Sequence, residues 1–253
     1  MLINDGERML PDSSDGSTFW EHVQRYRFAA GYVVGQRVLD IACGEGYGTA
    51  ALHDAGAAAV IGVDLSEEAC AHARDRYGVD ARAGDATSIP VGDGEVDLIV
   101  SFETLEHLCA PDAFLAECSR VLSARGQLII STPNRPVYCQ RTPDNPFHHR
   151  ELDADEFHQF LAGRFEPIDY YGQCLPMPRL LQQRYWRRIP YLWHQLTAPH
   201  ALIAPRPEDR AGVRSLINQT PCWRDRFDPF GVRRMSIARL RRACFIIAVA
   251  EKR

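Results

Sequence analysis

The sequence predicts an α/β fold, a mostly parallel sheet with helices on both faces. Three observations carry that expectation. Apolar, strand-like runs alternate with helical periodicity along much of the 253-residue chain. The first run, Val38-Leu39-Asp40-Ile41-Ala42-Cys43, opens into Gly44, Gly46 and Gly48 ahead of Thr49-Ala50-Ala51-Leu52. Twenty residues after Gly44, a second run from Ala59 to Val63 ends in Asp64.

The elements follow in order. An amphipathic stretch over residues 18–34 predicts an N-terminal helix. Strands are expected near 37–42, 59–63, 79–83, 96–101 and 126–132, with helices near 47–55, 66–77 and 112–122. Phe165 to Gly172 and Cys244 to Ala250 read as two further strands, which makes seven.

A strand that feeds a helix through glycines lets a ligand approach the backbone, because no Cβ atoms intervene. An acid ending the next strand can take both hydroxyls of an adenosine ribose. Together they predict a nucleoside-bearing cofactor. The dinucleotide fingerprint requires glycine or alanine three residues after Gly46, where this chain has Thr49. Asp40 and Glu45 also flank the turn. Carboxylates there repel a pyrophosphate but suit an ammonium and a sulfonium. S-Adenosylmethionine carries both cations.

Residues 37–134 resemble a class I S-adenosylmethionine-dependent methyltransferase in all five stretches that mark that family. They are Val38 to Gly46, Val60 to Ser66, Ala83-Gly84-Asp85-Ala86, Asp97 to Ser101, and Gly126 to Asn134. One departure is Ala42, where many members have glycine. The resemblance implies a Rossmann-like sheet of seven strands, with the last one antiparallel and paired to the sixth. It also implies that Asp40 holds the methionine end of the cofactor, Asp64 the ribose and Asp85 the adenine amino group. Gly44, Gly46, Ala42, Leu65, Ala86 and Phe102 complete the expected cofactor set. Gly6 to Pro11, Glu21 to Ala29, Ser101 to Leu108 and Asn145 to Leu152 are similar to bacterial methyltransferases of sugar and surface-polysaccharide biosynthesis.

Composition divides the chain. Residues 175–242 hold fourteen arginines, no lysine and four acids, a formal +10 against −14 for the remainder. The expected organisation is an N-terminal lid and helix over 1–36, a cofactor-binding domain over 37–174 and 243–253, and a basic insert over 175–242. Arginines interleaved with Trp186, Trp193, Tyr185 and Tyr191 would attract an anionic glycan, a nucleotide sugar or an anionic membrane face. A solvated arginine-biased surface is the plain alternative. No nucleic-acid signature accompanies the charge, and no nucleic-acid partner is expected. The eight cysteines form no Cys-x-x-Cys pair, so reduced thiols and a cytoplasmic setting are expected, with peripheral membrane contact left open. No metal requirement is expected.

Methyl transfer from a sulfonium is an in-line displacement, helped for an alcohol acceptor by a base. His107, after the fourth strand, and His148, after the fifth, are the candidate bases, since imidazole titrates near neutrality. His149 is the lesser candidate, Glu103 and Glu106 either orient sugar hydroxyls or are solvated helix charges, and Glu7 and Arg8 are expected in the lid. Tyr26 reads either as a cofactor contact or as a core tyrosine. The expected reaction is O-methylation of a sugar in a bacterial glycan, nucleotide sugar or glycosylated metabolite. Methylation of a quinone or secondary metabolite is the first alternative. A non-catalytic S-adenosylmethionine-binding regulator is the second.

Overall fold

A computed structural model describes residues 9–12, 16–139, 145–173, 212–218 and 232–253. Glu7, Arg8 and most of the basic insert lie outside the described residues.

The sheet has eight strands: β1 (Arg37–Ile41), β2 (Ala59–Asp64), β3 (Asp80–Ala83), β4 (Val96–Phe102), β5 (Leu122–Pro133), β6 (Phe165–Gln173), β7 (Val232–Arg234) and β8 (Phe245–Lys252). Their spatial order is β3-β2-β1-β4-β5-β8-β6-β7. The first five are parallel, and β8 runs antiparallel between β5 and β6. The chain order reverses between β1 and β4, where ligands of open α/β sheets bind at the strand carboxyl ends.

The expected antiparallel pairing of the last long strands is present, but an eighth strand extends the edge. β7 comes from within the basic insert and pairs Tyr171 with Arg234 and Gln173 with Val232. Three residues, two of them arginine, give no readable alternation, so pattern alone could not find it.

Helices α1 (Gly16–Ala30), α2 (Tyr47–Asp54), α3 (Glu67–Tyr77), α4 (Pro111–Val121), α5 (Arg135–Tyr138), α6 (Ala154–Ala162), α7 (Val213–Ile217) and α8 (Ile237–Leu240) cover the sheet. Their ends follow local chemistry. Ser66 caps α3 by accepting the Ala69 N–H at 3.2 Å, Glu67 and Glu68 open it, and Gly78 closes it in the left-handed region. Asp153 and Glu156 form a reciprocal capping box on α6. The expected helix over 18–34 stops at Ala30, ahead of Gly31.

Alternation along the strands divides the core. Leu39, Ile41, Ile99, Leu128 and Ile130 pack with Phe114, Phe157 and Leu161 of α4 and α6. Val38, Leu98, Val100, Ile129 and Val249 pack with Phe19, Val23 and Leu52 of α1 and α2. Val213 and Ile217 of α7 are buried in this second cluster, and Asn218 Nδ2 donates to the Ala51 carbonyl at 2.9 Å. Asp40 alternates onto the same face as Val38, beneath α1.

Candidate active site

The carboxyl ends of β1, β2 and β3 bring the three predicted acids to one edge. Between β1 and α2 the backbone takes positive φ at Ala42 (58°), Gly44 (55°) and Gly46 (88°). A Cβ on Gly46 would sit 2.5 Å from that of Ala73, and one on Gly48 would sit 2.1 Å from the Tyr26 ring. Glycine at these points lets α1, α2 and α3 close around the turn.

Asp40 is fully buried. It accepts the Thr49 hydroxyl at 2.7 Å and the Tyr26 hydroxyl at 3.1 Å. Burial pushes its carboxyl up to about 7, against the pull of the two hydroxyls and with a further push from Asp64. Asp64 accepts the N–H of Gly44 on one oxygen and of Ser66 on the other, each at 2.9 Å. A carboxylate has about four lone-pair sites, so two still serve a diol. Asp85 is exposed and takes the Thr87 N–H and hydroxyl, both on Oδ1 at 2.7 Å. Those two bonds hold its carboxyl below the usual range. None of the three acids forms an ion pair among the described residues.

The neighbouring predicted residues fall around them. Leu65 is 78% exposed beside Asp64, an uncovered apolar side chain where an adenine ring could lie. Ala86 is half-buried against the core next to Asp85. Phe102 is buried and meets the Tyr26 ring edge-on at 5.2 Å. Glu45 departs from its expected place at the ligand. It is buried toward α3, with the Tyr77 hydroxyl at 3.3 Å and the His72 ring at 3.5 Å. The acceptor set fits S-adenosylmethionine: acids without cations for the ammonium and ribose, and the exposed Leu65 beside Asp64 for the adenine.

A second group lies beyond β4 and β5. Glu103 takes φ 53°, a left-handed conformation uncommon for its type, and accepts the Ser131 hydroxyl at 2.6 Å. One turn of 3₁₀ helix, Leu105–His107, then presents Glu106 and His107. Glu106 is 1% exposed; Oε2 accepts the Thr132 hydroxyl at 3.1 Å, and Oε1 has no partner among the described residues. Burial pushes its carboxyl well above the usual range, and Glu103 pushes further.

The segment after β5 straps across this turn. His149 and Arg150 donate their N–H groups to the Glu106 carbonyl at 2.8 and 3.3 Å. His107 Nδ1 donates to the Phe147 carbonyl at 3.1 Å, and burial together with His148 lowers the tendency of its ring to protonate. His148 meets His107 edge-on at 4.9 Å. It donates Nδ1–H to Glu151 at 2.7 Å and accepts Asn145 Nδ2–H on Nε2 at 3.0 Å. His149 turns away toward the Cys109 thiol, 3.3 Å off. Both candidate bases thus lie beside Glu106, one ligand atom of each residue within 4.8 Å of the others.

Sequence reasoning missed Arg25 and Thr49. Arg25 on α1 is 1% exposed, donates to Gln173 Oε1 at 2.7 Å and lies 4.7 Å over the Phe245 ring. An arginine between Gln24 and Tyr26 reads as a solvated helix charge. Its burial depends on β6 and β8, more than a hundred residues away. Thr49 carried a signal, as the polar residue where the dinucleotide pattern fails, but was read only as a departure.

Comparison with known proteins bears on the family and the fold. The profile of the methyltransferase domain family matches residues 39–130. A protein of Mycolicibacterium smegmatis, named a probable S-adenosylmethionine-dependent methyltransferase, is 40% identical over 173 residues, 66% of each chain. A Mycobacterium tuberculosis protein of the same name is 42% identical over 166 residues, 64% of this chain and 60% of its own. A ubiquinone biosynthesis O-methyltransferase of Caulobacter is 32% identical over 158 residues, 54% of this chain and 61% of its own. The matches thus span about two thirds or less of these relatives' length. Among solved structures, a methyltransferase of Thermotoga maritima described as a possible histamine N-methyltransferase superposes with a TM-score of 0.60 at 16% identity. That alignment covers 94% of this chain and 95% of its own, and at such identity it speaks to the fold. Fold, profile and relatives agree: the chain carries a class I S-adenosylmethionine-dependent methyltransferase domain, with S-adenosylmethionine as its cofactor.

Proposed function

We propose that the protein methylates a hydroxyl of a polyhydroxylated, sugar-type acceptor. The observation that carries this reading is Glu106, buried beside His107 and His148, whose Oε1 has no partner among the described residues. A buried carboxyl oxygen without a partner costs free energy unless a ligand completes it, and an acceptor hydroxyl is a fitting partner. Glu103 adds a further acceptor at the same edge, which suits several hydroxyls better than an apolar ring.

S-Adenosylmethionine supplies an electrophilic methyl group when bound. The chain's own residues do the rest. Asp40, Asp64 and Asp85 fix the ammonium, ribose and adenine, while Tyr26 and Phe102 close the cleft against water from beneath α1. The Glu106–His107–His148 group orients the acceptor oxygen and takes up its proton.

The relatives named for ubiquinone biosynthesis favour a second reading, a phenolic acceptor. A non-catalytic regulator is a third. An anionic acceptor drawn by the basic insert, with contact at a membrane face, belongs to the first reading. No helix of the described residues is long and apolar enough to cross a membrane.

Incubating the protein with labelled cofactor and panels of sugars, nucleotide sugars and quinone-type phenols separates them. Labelled sugar is expected. Label on phenols alone overturns the acceptor class, and cofactor binding without transfer to any fraction of a cell extract indicates the regulator.

A further inference from the structure

We propose that Glu106, His107 and His148 form a binding site for a divalent first-row transition ion of the zinc, iron or manganese type. Among the described residues these three offer one ligand atom each, all within 4.8 Å of one another. Ligands around such an ion stand about 3–4 Å apart, so side-chain shifts of about an ångström close the site.

Three features beyond proximity support the assignment. The first is protonation. His107 Nδ1 faces a carbonyl oxygen, which only accepts, so Nδ1 carries the hydrogen and Nε2 the lone pair. His148 Nδ1 faces the Glu151 carboxylate with the same consequence. An outward Nδ1–H bond to a carbonyl or carboxylate is how proteins fix a metal-binding imidazole.

The second is Glu106. Thr132 holds one oxygen and leaves the buried Oε1 without a partner, the condition a cation relieves. The third is rigidity. Two backbone N–H bonds to the Glu106 carbonyl tie the strap bearing His148 to the turn bearing the other two ligands. Binding through His148 Nε2 displaces only the Asn145 amide.

Two imidazoles and one carboxylate select borderline metals over magnesium or calcium, which prefer oxygen alone. Three protein ligands leave a coordination position open. With the ion in place the two imidazoles act as ligands rather than as the base, and an acceptor hydroxyl on the open position would lose its proton to solvent more readily. Its oxygen then bonds the methyl carbon as the carbon–sulfur bond breaks and the electron pair passes to sulfur. This role in turnover rests on the acceptor reading above, whereas the binding of the ion does not. It departs from the sequence expectation of no metal.

The test is a titration of the chelator-treated, full-length protein with cobalt(II), followed by visible absorption, with zinc(II) in competition. One equivalent is expected to bind without a sulfur-to-cobalt charge-transfer band. Glu106→Gln, His107→Ala and His148→Ala should each weaken binding at least about tenfold. S-Adenosylmethionine affinity, measured on the same samples, should stay unchanged and reports that each variant is folded. If His148→Ala loses that affinity, His148→Gln takes its place. Cys109→Ser should leave cobalt binding as it was, because the exposed Cys109 beside His149 is the rival site. No saturable binding, or binding lost with Cys109→Ser and kept in the three ligand variants, overturns the proposal. Methyl transfer retained without metal overturns the ion's role in turnover and spares both its binding and the acceptor reading.

Discussion

The Tyr26 hydroxyl lies 3.1 and 3.3 Å from the two oxygens of Asp40, joining the first helix to the first strand across the cofactor cleft. The expectation for Tyr26 held two alternatives, a contact with the cofactor's carboxylate and a core tyrosine. The structure shows a buried core residue whose hydroxyl is held by Asp40.

Tyr26→Phe removes that hydroxyl and keeps the ring that fills the space above Gly48. Asp40 retains Thr49. The expected loss is about 1 kcal/mol of stability and a several-fold weaker affinity for S-adenosylmethionine, checked by denaturant unfolding and calorimetric titration.

Asp40 sets a pH dependence. Its carboxyl, pushed up to about 7, ionises in the range where the cofactor's ammonium needs it charged. Affinity should therefore rise with pH through neutrality. The stability sign is opposite. Between about pH 4 and 7 the folded protein holds a proton that the unfolded chain has lost. This group's contribution is thus full below pH 4 and declines as pH rises toward 7. Thermal melts of the cofactor-free protein across that range, compared with Asp40→Asn, should show a shallower slope in the variant.

Ala42 occupies a left-handed position with φ 58°. Such a conformation costs an L-residue about 1–2 kcal/mol, and glycine avoids most of it. Ala42→Gly should raise the urea midpoint by an amount worth about 1 kcal/mol, with an unchanged slope. A lower midpoint would count against the turn geometry.

Gly48→Ala should act the other way. The new methyl would lie 2.1 Å from a Tyr26 ring carbon, so the ring must move and its bond to Asp40 with it. Destabilisation of about 1–3 kcal/mol is expected, with a larger loss of cofactor affinity than Tyr26→Phe causes.

The cofactor half was legible because its chemistry is local. Asp40, the glycines and Asp64 sit at strand ends whose spacing reports a strand–turn–helix unit, and β2 follows β1 directly in sequence and in the sheet. The group of Glu106, His107 and His148 was legible only in part. His107 and His148 could be named as separate candidates, but their meeting depends on a strap laid over the Glu106 carbonyl by backbone bonds that carry no residue signature. Glu106 illustrates the same limit: its spacing suits a solvated charge as well as a buried one, and only the packing of β4 and β5 decides. Arg25, held by β6 and β8, is the extreme case.

Arg25 and Tyr26 are consecutive, yet one reaches Gln173 at the far side of the sheet and the other reaches Asp40 in its middle. A single rod therefore ties the first strand to the sixth through adjacent side chains, and it cannot lift from one without loosening its hold on the other.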